Sequence, residues 1–217
     1  TEILADLGSG TLNSNGTVVL NGDTAAENAN VNSGTLFLNG QLTSVTELNV
    51  VDGGTLVNGG ADRINDAATA NIANGGTLTL NGDDAITILN SAGLLNGSGT
   101  LTAETYNLND GAVTETLADL GSGTLNSDGV VTLNGDAAAE TTNINTGILN
   151  LNGQLTEVTE LNIAEGSGLV NGSEERINDA ATVNNSGTLT LAGDETITTL
   201  ISDGGLLDGS GLLTAET

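Results

Sequence analysis

The chain repeats itself at a fixed distance of 113 residues. Between Leu4 and Thr69 this shift holds without a gap, and 47 of the 66 positions carry the same residue as their partners. A fixed internal period is typical of an array in which each unit packs on the next one. We therefore expect two blocks with one plan, residues 1–113 and residues 114–217, joined into one continuous rod.

A shorter motif recurs inside each block, a brief apolar segment that ends in Asn-Gly or a close variant. Its copies lie at 19–22, 37–40, 56–59, 79–82, 94–97, 132–135, 150–153, 169–172 and 191–193. The copies are about 19 residues apart, which is typical of the coils of a solenoid and gives about six coils per block. Asn-Gly tolerates a positive φ with little strain, so we expect each copy to form a corner of the coil.

The apolar residues of these segments alternate with polar ones, as in half-buried strands. No stretch shows the spacing of an amphipathic helix, and the chain has only two aromatic residues, Phe37 and Tyr106. A thin core of Leu, Val, Ile and Ala fits stacked coils, so the fold class we predict is an all-β parallel β-helix. The leucines that we expect to be buried are Leu12, Leu20, Leu38, Leu48, Leu80, Leu125, Leu133, Leu151, Leu161 and Leu191.

The charge balance excludes several kinds of partner. The chain has two arginines, no lysine and 28 acidic residues, which leaves a net charge of −26. Binding to nucleic acid or to anionic membrane surfaces requires basic residues, so we expect neither partner. No apolar run is long enough to span a bilayer. Since the sequence begins at Thr1 with no signal segment, we also expect it to be a mature or excised piece of a longer array.

Several phrases of the sequence resemble the autotransporter-associated β-strand repeats of Gram-negative surface proteins and haemagglutinin-like adhesins. They include Gly-Ser-Gly-Thr-Leu, Val-Thr-Leu-Asn-Gly and Asp-Arg-Ile-Asn-Asp-Ala-Ala-Thr. The resemblance covers nearly the whole chain. It implies a right-handed coil, display at the bacterial cell surface or in the extracellular space, and no catalytic residue in this segment.

The two arginines lie at equivalent places, in 61–66 and 174–179. A guanidinium beside carboxylates is one way to hold an acidic sugar. We favour a structural role, in which Arg63 pairs with Asp62 or Asp66, and Arg176 pairs with Glu175 or Asp179. On this interpretation each arginine lies at the same place on its own coil and outside any concave site.

Acidic residues supply two further hypotheses, an acid–base pair of a glycosidase and a calcium site. The candidate pairs are Asp83 with Asp84, Asp194 with Glu195, and the stretch Glu104, Asp110 and Glu115. No His, Lys or aromatic platform accompanies them, so we interpret them as solvated carboxylates. The Gly- and Asp-rich turns at 52–54, 203–205 and 207–211 lack the nine-residue calcium repeat. Incidental structural calcium remains compatible with this supply of oxygen ligands, and zinc is excluded because the chain has no His or Cys.

These observations lead to a functional expectation without any catalytic, cofactor-binding or metal-binding residue. We expect a structural or adhesive segment of an extracellular bacterial surface fibre or adhesin shaft. Its main partner is then another copy or the neighbouring repeats of the same chain, stacked end to end. A module that binds a glycan or a host protein is the alternative, and a polysaccharide-active enzyme is a distant third.

Overall fold

The structure is a computed structural model that describes residues 2–4, 7–114 and 119–217, and all regular structure in these residues is β-strand. The strands of the first block are β1 (Glu2–Leu4), β2 (Leu7–Asn15), β3 (Val18–Leu20), β4 (Thr24–Leu38), β5 (Glu47–Val50), β6 (Gly54–Asn58), β7 (Thr69–Ile72), β8 (Thr77–Leu80), β9 (Asp84–Ser91), β10 (Leu94–Gly97), β11 (Thr100–Asn109) and β12 (Val113–Thr114). The strands that follow are β13 (Asp119–Leu120), β14 (Thr124–Leu133), β15 (Thr141–Leu151), β16 (Glu160–Ile163), β17 (Gly168–Asn171), β18 (Thr182–Asn185), β19 (Thr188–Leu191), β20 (Glu195–Ile197), β21 (Thr199–Ser202), β22 (Leu206–Gly209) and β23 (Leu213–Ala215). In this part of the chain no helix is long and apolar enough to cross a membrane.

The strands stack in parallel into a β-solenoid with three faces, which confirms the predicted fold class. Face A runs through β2, the first half of β4, β5, β7, β9, β11, β14, β15, β16, β18 and β21. Face B runs through β1, β3, the second half of β4, β6, β8, β10, β12, the second halves of β14 and β15, β17, β19 and β22. Face C is short, and much of it is held by single bridges such as Leu42 to Ile64 and Leu155 to Ile177.

An asparagine ladder on face A gives the number of residues in each coil. Ten asparagines, one per coil, form nine side-chain hydrogen bonds of 2.7–3.0 Å, each from the Nδ2 of one residue to the Oδ1 of the residue before it. They are Asn13, Asn30, Asn49, Asn71, Asn90, Asn107, Asn126, Asn143, Asn162 and Asn184. Successive members are separated by 17, 19 or 22 residues. Six steps of the ladder, from Asn13 to Asn126, make up the period of 113 residues.

The core is a continuous column of mainly aliphatic side chains inside the three faces, and Tyr106 is its largest fully buried member. All ten leucines predicted to be inside are buried, which confirms the alternation that was inferred from the sequence. The segment 24–28 is the start of β4. Strand pairing continues across the junction between the blocks, because β11 pairs with β14 and β12 pairs with both β10 and β14.

The Asn-Gly copies do form corners at the end of face B, but the reason expected for the glycines was wrong. Among the nine motif copies, only Gly97 has a positive φ. The glycines are required because backbones stack closely: a Cβ on Gly40 would lie 2.0 Å from the carbonyl oxygen of Gly22. Gly153 stacks on Gly135 in the same way. The corner asparagines also form ladders, since Asn39 Nδ2 donates to Asn21 Oδ1 at 2.8 Å.

Candidate functional site: the arginine corners

Two coils of the solenoid are longer than the others, and each carries one of the arginines. The ladder steps from Asn49 to Asn71 and from Asn162 to Asn184 are 22 residues long. Within them, the chain leaves face B after β6 and β17 and forms the segments 59–66 and 172–179, which we call the arginine corners. In solenoid proteins, local insertions of this kind form loops on one face, and this face often binds a partner.

A buried carboxylate from the next coil, Asp84 or Glu195, holds each arginine corner, so the expectation that these two residues would be solvated was wrong. Asp84 is almost fully buried, and its Oδ2 accepts hydrogen bonds from the backbone N–H groups of Arg63 at 3.1 Å and Ile64 at 3.2 Å. In the second block Glu195 has the same role, since it accepts the N–H groups of Arg176 at 3.1 Å and Ile177 at 2.9 Å. The longer side chain of Glu195 therefore reaches the same backbone groups as Asp84.

A buried asparagine completes each of these networks. Asn58 Nδ2 donates to Asp84 Oδ2 at 2.6 Å, and Asn58 Oδ1 accepts the N–H of Gly60 at 3.0 Å. Asn171 likewise donates to Glu195 and accepts the N–H of Ser173. Each network thus joins the end of a face B strand, the arginine corner and the following coil through groups that are shielded from water.

Burial controls the protonation of the two carboxylates. It raises the pKa of Asp84 from 3.8 to about 6, although the hydrogen bonds from the N–H groups of Arg63, Ile64 and Ala85 oppose this effect. Burial also raises the pKa of Glu195, against the bonds from Ile177, Arg176 and Asn171. The desolvation of a carboxylate that lacks a cationic partner therefore exceeds the stabilisation from its N–H donors.

The arginine side chains do not form the ion pairs expected from the sequence. Asp62 and Asp66 line the same concavity as Arg63, but none of the carboxylates in the described residues lies within salt-bridge distance of Arg63 or Arg176. The Nε atoms of both arginines are buried and find no hydrogen-bond partner among the described residues. The expectation that neither arginine would lie in a concave site was also wrong, since each lines an open groove of about 430 or 440 Å³.

Each groove lies between two successive coils on the outer side of face C. The first is bounded by residues 41–43 of one coil and 62–66 of the next, and the second by residues 154–156 and 175–179. Asp62 and Glu175, at the start of the longer wall, both have a φ of 51°, which is unusual for residues other than glycine. The two grooves are thus built by equivalent residues in the same backbone conformation.

The other carboxylate candidates are dispersed over the described residues. Asp83 and Asp194 each accept a backbone N–H of the next coil at 2.9 Å, from Thr100 and Leu212. Asp110 accepts the N–H of Val130 at 2.9 Å, Glu104 is exposed, and Glu115 lies outside the described residues. Within 7–114 and 119–217, no three His, Cys, Asp or Glu residues are grouped so that they could hold a metal ion.

Sequence reasoning missed the pairing of Asn58 with Asp84 and of Asn171 with Glu195. The sequence did contain a signal. Asn58 follows Leu56 by two residues in the same strand, so both side chains point inward. In the other Asn-Gly motifs this inward position is mostly leucine. The same asparagine recurs in the second block, and an acidic residue follows it in the next coil of both blocks. A polar residue at an inward position needs a buried partner.

Comparison of the chain with protein-family models, with curated proteins and with solved structures finds no match.

Proposed function

We propose that this chain is a non-enzymatic segment of a rigid shaft, in an extracellular fibre or adhesin at a bacterial surface. The observation that supports the proposal best is the asparagine ladder, which passes from one block to the next without a gap. Asn107 donates to Asn90 at 2.9 Å, and Asn126 donates to Asn107 at 3.0 Å. Because the ladder bond from Asn126 to Asn107 is of the same kind as the bonds within each block, further blocks can be added with no new kind of contact.

The charge distribution supports a shaft whose copies do not clump. The outward positions of the face A strands hold mainly Thr and Asn, and Glu47, Asp128 and Glu160 are acidic residues among them. Most acidic residues lie instead at the corners of the coils, in a chain of net charge −26. Charges along the corners keep rods apart over about 10 Å at 0.1 M salt, whereas contacts along the axis act at shorter range.

Stacking along the axis is the partner interaction that we propose. Leu207 continues the inward column of Leu149, Leu169 and Leu189 on face B. Leu149, Leu169 and Leu189 are fully buried, whereas 44% of Leu207, in the last described coil, is exposed. A coil of the same kind, from the same chain or from another copy, would bury this side chain and pair with the open strands.

The buried carboxylates support our proposal that the segment is not an enzyme. Asp84 and Glu195 are directed into the solenoid and accept N–H donors, so neither presents a carboxyl group to a substrate. A binding module is the second candidate function, and the two arginine grooves favour it.

The mass per length of the native material tests the shaft. About 11 coils at about 4.8 Å per coil give the 21.4 kDa chain about 0.4 kDa per Å. Electron microscopy of material from the source cells should show rods with this value and with lengths well beyond one chain. Antibodies to the chain should label intact cells. Short particles at every salt concentration, or labelling only after lysis, would contradict the proposal.

A further inference from the structure

The two arginine grooves have nearly the same chemistry. Of their eight lining positions, seven carry the same residue in both blocks, and the eighth is Asp62 in one and Glu175 in the other. The shared residues are Gln41 and Gln154, Leu42 and Leu155, Thr43 and Thr156, Arg63 and Arg176, Ile64 and Ile177, Asn65 and Asn178, and Asp66 and Asp179. The grooves are six coils apart, which is roughly 29 Å along the rod.

Part of each groove is occupied by structural hydrogen bonds. Asn65 Nδ2 donates to the carbonyl oxygen of Thr43 at 3.1 Å, and its Oδ1 accepts the N–H of Ala67 at 3.0 Å. Gln41 Nε2 donates to the carbonyl oxygen of Asp62 at 2.7 Å. These amides fix the walls of the groove. The same bonds recur in the second block, from Asn178 to Thr156 and from Gln154 to Glu175.

The guanidinium and one carboxylate remain available to a ligand. Arg63 has no side-chain hydrogen bond to the described residues, and the Asp66 carboxylate, which is exposed, accepts none from them. Arg176 and Asp179 have the same status in the second groove. Each groove therefore offers donors and acceptors side by side, on walls that are held in place by the amides and by the buried carboxylates Asp84 and Glu195.

The charges of the groove select the class of ligand. An anion would meet the carboxylates of Asp62 and Asp66 and the field of a chain of charge −26, whereas a cation would meet the guanidinium. A hydroxyl group both donates and accepts, so neighbouring hydroxyls can bind the guanidinium and the carboxylate together. We propose that each arginine groove binds a neutral glycan, with Arg63 or Arg176 donating to its oxygens and Asp66 or Asp179 accepting from its hydroxyls.

The volume and position of the grooves are consistent with this ligand. Ligand sites typically measure about 300–1,000 Å³, and the two grooves fall within this range. Both lie on the longest coils, where the regular repeat is interrupted. This inference does not depend on the proposed shaft, because a rod can serve as a spacer whether or not its grooves bind a sugar.

A titration followed by NMR tests the inference on the intact chain. The chain has two arginines, so its arginine Nε–H region contains two signals, one from each groove. The probes are four neutral hexasaccharides, those of cellulose, starch, mannan and xylan, with a hexamer of galacturonate as the anionic comparison. We expect saturable shifts of both signals with at least one neutral probe and none with the galacturonate.

Matched substitutions connect the binding to the grooves. Arg63→Gln should remove one of two binding events, and Arg63→Gln with Arg176→Gln should weaken binding by roughly tenfold to hundredfold, as expected for loss of charged hydrogen bonds. Asn150→Asp on face B makes the same change of charge as one Arg→Gln and should leave binding unaltered. Wild-type affinity in the double variant, no shift with any neutral probe, or a preference for galacturonate would each overturn the proposal. None of these results would alter the mass per length that tests the shaft.

Discussion

The buried carboxylate Asp84 predicts that acidification stabilises the fold. Burial raises its pKa from 3.8 to about 6, so the folded protein holds this proton more tightly than the unfolded chain does. The stability gained in this way is fully present below pH 3.8 and is lost as the pH rises through 6. The separation of the two pKa values corresponds to about 3 kcal/mol, of which about 1.4 kcal/mol is lost between pH 5 and pH 7.5.

The substitution Asp84→Asn isolates this contribution. Asparagine has nearly the same shape but does not titrate, and its Nδ2 would face the N–H donors of Arg63 and Ile64. The variant therefore loses hydrogen bonds at every pH, by about 1–3 kcal/mol. The free energy of unfolding of the variant is subtracted from that of the wild type at pH 5 and again at pH 7.5. The constant loss contributes equally to both differences, so it cancels when they are compared. We expect the difference to change by about 1.4 kcal/mol, because both proteins keep the contribution of Glu195 but only the wild type loses that of Asp84.

Urea denaturation at the two pH values provides the measurement, and Asp66→Asn is the matched control. Asp66 is an exposed carboxylate in the same corner, so its replacement removes the same charge without changing the buried network. The control should keep the pH dependence of the wild type to within about 0.3 kcal/mol, as is usual for surface sites. An unchanged pH dependence in Asp84→Asn, or a wild type that became more stable from pH 5 to 7.5, would refute this role of the Asp84 carboxylate.

Three further substitutions test the stacking of the coils, each by the free energy of unfolding in urea. Asn90→Ala removes two side-chain hydrogen bonds from the middle of the ladder and should cost about 1–2 kcal/mol. Asn13→Ala removes one such bond and should cost about half as much. Equal costs would count against the ladder. Gly40→Ala places a Cβ 2.0 Å from the carbonyl oxygen of Gly22 and should cost about 1–3 kcal/mol, while Gly8→Ala, which meets nothing within 4 Å, should be nearly neutral. Tyr106→Phe leaves the N–H of Ala103 without the oxygen that it contacts at 2.8 Å and should cost about 1–3 kcal/mol; an unchanged stability would mean that this hydroxyl is dispensable.

The fold was predictable because one periodicity governs both sequence and structure. Leu20 and Leu133 are buried at equivalent places, and each precedes an Asn-Gly corner. An alternation of period two places one side of a strand inside, and a recurrence of about 19 residues places each strand on the previous one. Local patterns of this kind need no knowledge of distant contacts.

The corners were predictable in position and not in mechanism. Asn-Gly at 39–40 indicated a turn, but sequence alone did not show that Gly22 would lie directly against Gly40 in the next coil. Contact between successive coils, and not the φ of the residue, decides which amino acid is tolerated there. The same reason explains why the expected pairing of Arg63 was wrong. The backbone N–H of Arg63 donates to Asp84 in the following coil, and the neighbouring Asp62 and Asp66 do not pair with its side chain.

These contacts differ between the faces and the arginine corners. On face A, side-chain amides join coil to coil along the axis, and each bond is available to any further coil that presents an asparagine at the same place. At the arginine corners there are also buried axial contacts, those of Asn58 with Asp84 and of Asn171 with Glu195. These buried bonds and the amides of Gln41 and Asn65 hold the first corner, and their counterparts hold the second, so neither arginine side chain is needed for this purpose. Irregular coils in a regular rod can therefore carry binding groups without weakening the stack that displays them.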